Sequence, residues 1–266
     1  MDEPSQIGLG TYKNTDPERC SKIVSTALEM GYRHIDTAQA YDNETYVGEG
    51  IEHADVDRDD VFLATKVWDD TLAYDDVLSS TDESLDRLGV EGLDLLYVHW
   101  PRDTYDAEET LPAFDELHDE GTIEHVGLSN FTPEQLDEAR DTLDAPIFAH
   151  QVEMHPLLQQ EELHEYARED DHWLVAYAPI ARGEVTHVDE IQEVAEKHDT
   201  TPHQVSLAWL AAKKNVVAIP KTSSEDHLQE NFEAQELALD EDDIEVIDAI
   251  EREERLIDPD DAPWNQ

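Results

Sequence analysis

Leu93-Asp-Leu-Leu-Tyr-Val98, with His99-Trp-Pro101 directly behind it, is the stretch on which the fold turns. It is short, almost continuously apolar and rich in large side chains, the pattern of a parallel strand buried on both faces. Seven further runs share it, near Ile7–Leu9, His34–Ile35, Val61–Ala64, Ile123–Leu128, Ile147–Val152, Trp173–Ala176 and Val216–Ile219. Amphipathic segments with their own start signals separate them. Asp16-Pro17 pairs an N-cap with Pro at the first helical position. Thr132-Pro-Glu-Gln135 and Thr201-Pro-His-Gln204 follow the capping-box pattern, and Asp240 opens the last helix with acids in its first turn. Eight strand–helix repeats predict an α/β chain folded as a single (β/α)8 TIM barrel over 1–266, with a doubly wound open sheet as the alternative.

Charge sets the next limits. Lys and Arg number 17 and Asp and Glu 67, for a formal net charge of −50. A field of that sign repels phosphate backbones and anionic lipid, so neither nucleic acid nor membrane is expected as a partner. Disorder is excluded because 39% of residues are hydrophobic and cluster in runs, with the acid lying between them, as in Asp57-Arg-Asp-Asp60. An acidic, Lys-poor surface of this kind is the composition associated with extreme halophiles, since at ~1 M salt the Debye length is ~3 Å and self-repulsion is largely screened. Cys20 is alone, which leaves no intramolecular disulfide. No stretch approaches a membrane span, and Met1-Asp-Glu-Pro4 lacks the features of a signal peptide, so a cytoplasmic protein is expected.

Several motifs fail on inspection. Gly8-Leu-Gly10 begins like a dinucleotide fingerprint, but Lys13 stands where the third Gly is needed. Gly127-Leu-Ser-Asn-Phe131 resembles a nucleophile elbow until Phe131 replaces the second Gly. The 13 histidines show no zinc spacing, and no metal is expected.

In a barrel, chemistry gathers at the C-terminal ends of the strands. Asp36 ends the second run, Lys66 the third and His99 the fourth, while Tyr41 follows Asp36 by five residues. An acid, a base, an imidazole and a phenol thus meet on one rim. Lys66 is conspicuous as one of only seven lysines. Taken singly, each could be a polar group making a local ion pair; together they are a catalytic constellation.

With these residues the chain resembles the aldo-keto reductases over nearly its whole length. The shared motifs are Gly8–Tyr12, Gly31–Tyr41, Thr65-Lys66, Val98-His-Trp-Pro101, Gly127–Phe131, Gln151-Val-Glu-Met-His-Pro156 and Ile219-Pro-Lys-Thr-Ser223. A short-chain dehydrogenase would place its Tyr and Lys four apart on one helix, whereas here they are 25 apart. The resemblance implies an enzyme in which hydride passes from NADPH or NADH to the carbonyl carbon of a small aldehyde or ketone, sugar-derived dicarbonyls such as diketogluconate among them. Tyr41 would donate the proton, Lys66 would lower the phenol's pKa from about 10, Asp36 would hold Lys66 charged, and His99 would orient the carbonyl. Tyr12, Trp68 and Trp100, with His99, match substrate-pocket positions.

The same resemblance assigns Ser129, Asn130 and Gln151 to the nicotinamide carboxamide and Tyr177 to stacking on its ring. Lys221, Thr222 and Ser223 match the 2′-phosphate site, with Ser224 capping the next helix, and Glu230 and Asn231 match adenine contacts. Two positions depart from the family: Ala178 where Ser is commoner, and His227 where NADP-preferring members carry Arg. The segments Arg102–Ala107, Ala181–His187 and Arg255–Gln266, which build the substrate wall, are short, so an open pocket on a monomer is expected. The rival reading is a noncatalytic nicotinamide-binding regulatory subunit, which loss of a tetrad residue would have favoured.

Overall fold

The eight apolar runs become eight parallel strands, and their order around the sheet is their order in the chain. The computed structural model describes residues 4–265. Strands β1 (Leu9–Gly10), β2 (His34–Asp36), β3 (Phe62–Val67), β4 (Leu93–Val98), β5 (Ile123–Ser129), β6 (Ile147–Glu153), β7 (Trp173–Tyr177) and β8 (Val216–Ala218) pair with their successors. Parallel bridges Ile7↔Ala218 and Gly10↔Lys221 join the last strand to the first, so the sheet closes into a (β/α)8 barrel. Of the two glycines that mimic a dinucleotide fingerprint, Gly10 serves this closure and Gly8 makes room for His34 on β2. A Cβ on Gly10 would lie 2.7 Å from the Ile219 carbonyl oxygen, and one on Gly8 would lie 2.9 Å from the His34 ring.

Helices α1 (Pro17–Met30), α2 (Glu44–His53), α3 (Tyr74–Leu88), α4 (Ala107–Asp119), α5 (Pro133–Thr142) and α6 (Glu161–Glu169) each follow one strand. The beat then changes. Two helices, α7 (Asp189–Lys197) and α8 (Pro202–Ala211), separate β7 from β8, and α9 (Glu225–Glu233) and α10 (Glu241–Asp248) follow β8. The start signals act where the sequence places them. Asp16 accepts from Arg19 N, and Thr132 with Gln135 forms the full reciprocal box. At Thr201 only half of the box forms: Gln204 N donates to Thr201 Oγ1, but the Gln204 side-chain oxygen accepts from the hydroxyls of Thr200 and Thr201 instead of the Thr201 backbone N–H.

Alternation along each strand divides the interior in two. One set of side chains packs outward against the helices, and a smaller set (Phe62, Ala64, Leu95, Tyr97, Ala149, Val175, Val217, Ile219) fills the barrel axis. Continuing that axial set with period two reaches Lys66 on β3, His99 after β4, Gln151 on β6 and Tyr177 on β7. Strand geometry alone therefore turns these polar side chains inward at the C-terminal rim. Among the described residues no helix is long and apolar enough to cross a membrane.

Candidate active site

Asp36 and Lys66 are both buried, and Lys66 Nζ donates to Asp36 Oδ1 at 2.5 Å and to the Thr37 carbonyl at 2.7 Å. The second oxygen of Asp36 accepts from Gln151 Nε2 at 2.8 Å, so one carboxylate links β2 to β3 and, across the barrel, to β6. A buried charge is tolerable only when paired and hydrogen-bonded in this way. Above the pair, Lys66 Nζ lies 5.1 Å from the centre of the Tyr41 ring. Tyr41 sits in a single 3-10 turn, Gln39–Tyr41, ended by Asp42 at φ 53°. That turn leads into Asn43, whose amide donates to the carbonyls of Thr11 and Asn14 while its oxygen accepts from Thr37. His99 meets Tyr41 edge-on at 5.7 Å between ring centres and Trp68 at 5.1 Å. All four members of the predicted constellation are brought together.

Their electrostatics differ from the expectation in one respect. The phenol of Tyr41 is pushed well above its ordinary value, not below it. Burial is the largest cause, and the negative charge of Asp36 adds to it. Two of the three Lys66 donors serve Asp36 and Thr37, and its own pKa is lowered by burial, so the net shift at Tyr41 stays upward. Tyr41 thus holds its proton firmly, the state a proton donor needs. His99 is driven well below its ordinary value by burial and by the charges of Lys66 and Arg102, so its imidazole is neutral.

Asp36, Tyr41 and His99 line a cavity of about 1490 Å³, larger than the ~300–1,000 Å³ of a typical small-molecule pocket, with Lys66 buried behind Asp36. Tyr12, Trp68 and Trp100 line it, as does Arg102, which stacks on Trp100 and pairs with Asp69 and Asp261. Ser129, Asn130, Gln151 and Tyr177 line it too, but they also bind one another. Asn130 spends both amide hydrogens on the His99 carbonyl and Ser129 Oγ, and its oxygen accepts from Tyr177 Oη at 2.8 Å. Ser129 Oγ donates to the Gln151 carbonyl. Asn130 (φ 64°), Ala178 (φ 48°), Ala181 (φ 47°) and Arg182 (φ 52°) all adopt left-handed backbone on this rim, the kind of strain that collects at functional sites.

Lys221 also lines the cavity, at the rim between β8 and β1. Ser223 lines a smaller cleft beside it, together with Ser224 and Arg19. Thr222 is buried, and its hydroxyl accepts from Ser224 N; His227 is exposed in the first turn of α9, Glu230 is half-buried and Asn231 buried. None of these last four is among the residues lining the cavity or the cleft.

Arg19 escaped the sequence reading. Its charge and that of Lys13 lower the Lys221 ammonium, behind partial burial as the largest cause. Among the described residues none of the three forms an ion pair, in a chain with four acids to each base. The available signal was an arginine three residues after a helix cap, which looks like any solvated first-turn residue. Arg182 and the tail segment Leu256–Pro259 also line the cavity.

A cavity holding a buried Asp–Lys pair, a protonated phenol, a neutral imidazole and cations at one edge can bind a phosphate-bearing cofactor and deliver a proton to an oxygen beside it. The chain belongs to the aldo/keto reductase family, whose model matches residues 6–252, and it is therefore an oxidoreductase of a nicotinamide-dependent class. It is 37% identical over 256 residues to methylglyoxal reductase DkgB of Escherichia coli O157:H7, covering 95% of each chain. Glyoxal reductase of Bacillus subtilis strain 168 is 35% identical over 251 residues, covering 94% of this chain and 90% of the relative. Among solved structures, an aldo-keto reductase from a Medee basin deep-sea metagenome library superposes with a TM-score of 0.93 at 33% identity, covering 97% and 96% of the two chains. A protein proposed to be a 2,5-diketo-D-gluconic acid reductase B gives 0.93 at 35% identity, covering 98% and 93%.

Proposed function

We propose that this protein reduces small aldehydes and ketones, α-dicarbonyls and sugar-derived dicarbonyls such as diketogluconate among them, with NADPH preferred and NADH usable. The observation that carries the reading is the buried Asp36–Lys66 pair beneath Tyr41, with neutral His99 at its side on the cavity floor. A bound reduced nicotinamide supplies the hydride that the carbonyl carbon accepts. The carbonyl oxygen then takes the Tyr41 proton and becomes the hydroxyl of the alcohol product, and the tyrosinate regains a proton from solvent through the open cavity. Lys66, held charged by Asp36, stabilises that tyrosinate while it lasts. Neutral His99 can offer one N–H to the carbonyl oxygen without competing as an acid. Tyr12, Trp68 and Trp100 give an apolar cup suited to a small substrate.

For the cofactor, Tyr177 offers a ring face, and Ser129, Asn130 and Gln151 a polar corner. Lys221, Thr222 and Ser223, helped by Arg19, suit a 2′-phosphate, and Glu230 and Asn231 an adenine. Exposed His227 adds little, because a neutral imidazole offers one donor where a guanidinium offers a fork. The acidic composition suits activity in molar salt, and the reading places the enzyme inside a cell and as a monomer. The test is oxidation of NADPH and of NADH with methylglyoxal and a panel of aldehydes in molar salt. Substrate-dependent oxidation, faster with NADPH, supports the reading. Cofactor binding without any turnover would favour the regulatory-subunit alternative.

A further inference from the structure

Two buried polar side chains in the motif Gln151–Pro156 have no part in the proposed chemistry. Glu153 ends β6, His155 follows it, and both are fully buried. A buried carboxylate is tolerated only when it is paired and hydrogen-bonded. Glu153 is satisfied, and the source of its donors is informative. His155 Nε2 lies 2.9 Å from Oε1. The backbone N–H of Leu256 donates to Oε1 at 2.7 Å and that of Ile257 to Oε2 at 2.8 Å. Two consecutive amides of the C-terminal tail, more than 100 residues away in the chain, thus grip one buried anion. Burial raises the Glu153 pKa, but the bonds from His155 and the two amides outweigh it and the net shift is downward.

The gripped segment is the one that walls the cavity. Leu256, Ile257, Asp258 and Pro259 line it, and Glu254 N donates to the Leu157 carbonyl at 2.7 Å just before them. Farther on, Asp261 pairs with Arg102 and Trp264 packs against Trp100, both attachments lying near the surface. Glu153 itself does not line the cavity. We infer that Glu153 is a positioning residue: its carboxylate anchors the strap Glu254–Pro259 over the mouth of the cavity and thereby sets the wall against which the carbonyl substrate binds. Because the strap touches the substrate side, loss of the anchor weakens substrate binding and spares both proton transfer and the nucleotide.

Glu153→Gln keeps the shape, removes the charge and sets an amide N–H against the tail's own N–H groups. The expected result is faster hydrogen exchange at Leu256 and Ile257 with β6 amides unchanged. The KM for methylglyoxal should rise about tenfold, the scale of one hydrogen bond to a charged group, with kcat and the KM for NADPH unchanged. Unaltered exchange and KM, or a fall in kcat together with weaker nucleotide binding, would overturn the inference. Should Glu153→Gln fail to fold, Leu256→Pro deletes one donor from the tail and leaves Glu153 in place; an unchanged KM there refutes the anchor equally. The kinetic arm rests on the carbonyl-reductase reading. Absence of turnover in the wild type sinks that reading alone, and exchange at the strap still decides for or against the anchor.

Discussion

Asp36 shapes the site through its two oxygens, one holding Lys66 and the other Gln151. Removing one partner of such a buried pair typically costs ~3–5 kcal/mol, so substitutions at Asp36 or Lys66 would mix lost chemistry with lost stability. Tyr41 makes no comparable contribution to the core, which makes it the cleaner probe. The cofactor end offers a different residue-scale test. Arg19→Ala should narrow the NADPH-over-NADH ratio of kcat/KM, and His227→Arg should widen it, each by ~1–2 kcal/mol, the lower end for a hydrogen bond to a charged group because both positions are exposed. Measurement of both cofactors at one fixed salt concentration decides it. A ratio indifferent to Arg19 removes that residue from the 2′-phosphate site, and one indifferent to His227→Arg removes that position. That these four side chains meet could be read from sequence because Asp36, Lys66 and His99 stand at or just after strand ends, where local pattern predicts direction, and Tyr41 follows Asp36 by one short turn. Glu153 and Arg19 could not, because what they do depends on contacts made by distant segments: the tail for one, the loop after β8 for the other.

At the scale of elements, strands buried on both faces leave a plain mark in sequence, and all eight were legible to within a few residues. The start of α8 was legible at Thr201, but that two helices, α7 and α8, separate β7 from β8 was not. The residues Val205–Leu210 of α8 are all buried, so the helix shows no polar face to set its period against a strand-like run. The last helix shows how ends are fixed. Asp240 and Asp243 form a reciprocal capping box on α10, and Asp243 also accepts from Lys197 Nζ and His198 Nε2, each at 2.7 Å. Burial raises the Asp243 pKa, but those bonds prevail and pull it down to about 2. A carboxylate lowered in the folded state adds stability above its ordinary value, and that stability is lost as pH falls through the folded value. Asp243→Asn should therefore lower Tm at neutral pH, by an amount equivalent to roughly 1 kcal/mol given the exposure of Lys197, and the gap should close between pH ~4 and ~2. Melting curves of both proteins across that range check it. A gap independent of pH would mean that the charge of Asp243 does not stabilise the helix.

For the whole molecule, the distribution of charge matters as much as its sum. The net charge is −50, yet Lys13, Arg19 and Lys221 sit together, free of ion pairs among the described residues, at the edge of the cavity. Elsewhere the surface repels itself, and screening controls how strongly. Tm should fall as salt is diluted from molar to millimolar, and a flat profile would reject adaptation to high salt without touching the catalytic assignment. Burial and the charge of Asp36 both hold the proton on the Tyr41 phenol, and the central claim is that this proton goes to the carbonyl oxygen. The most direct test is NADPH oxidation with methylglyoxal by wild type and Tyr41→Phe in the same molar-salt buffer, with NADPH binding measured alongside. The account predicts that Tyr41→Phe binds NADPH as wild type does and loses ~10²–10⁴-fold in turnover, the usual worth of a positioned proton donor. A variant that binds NADPH and keeps more than a few per cent of wild-type turnover would contradict it.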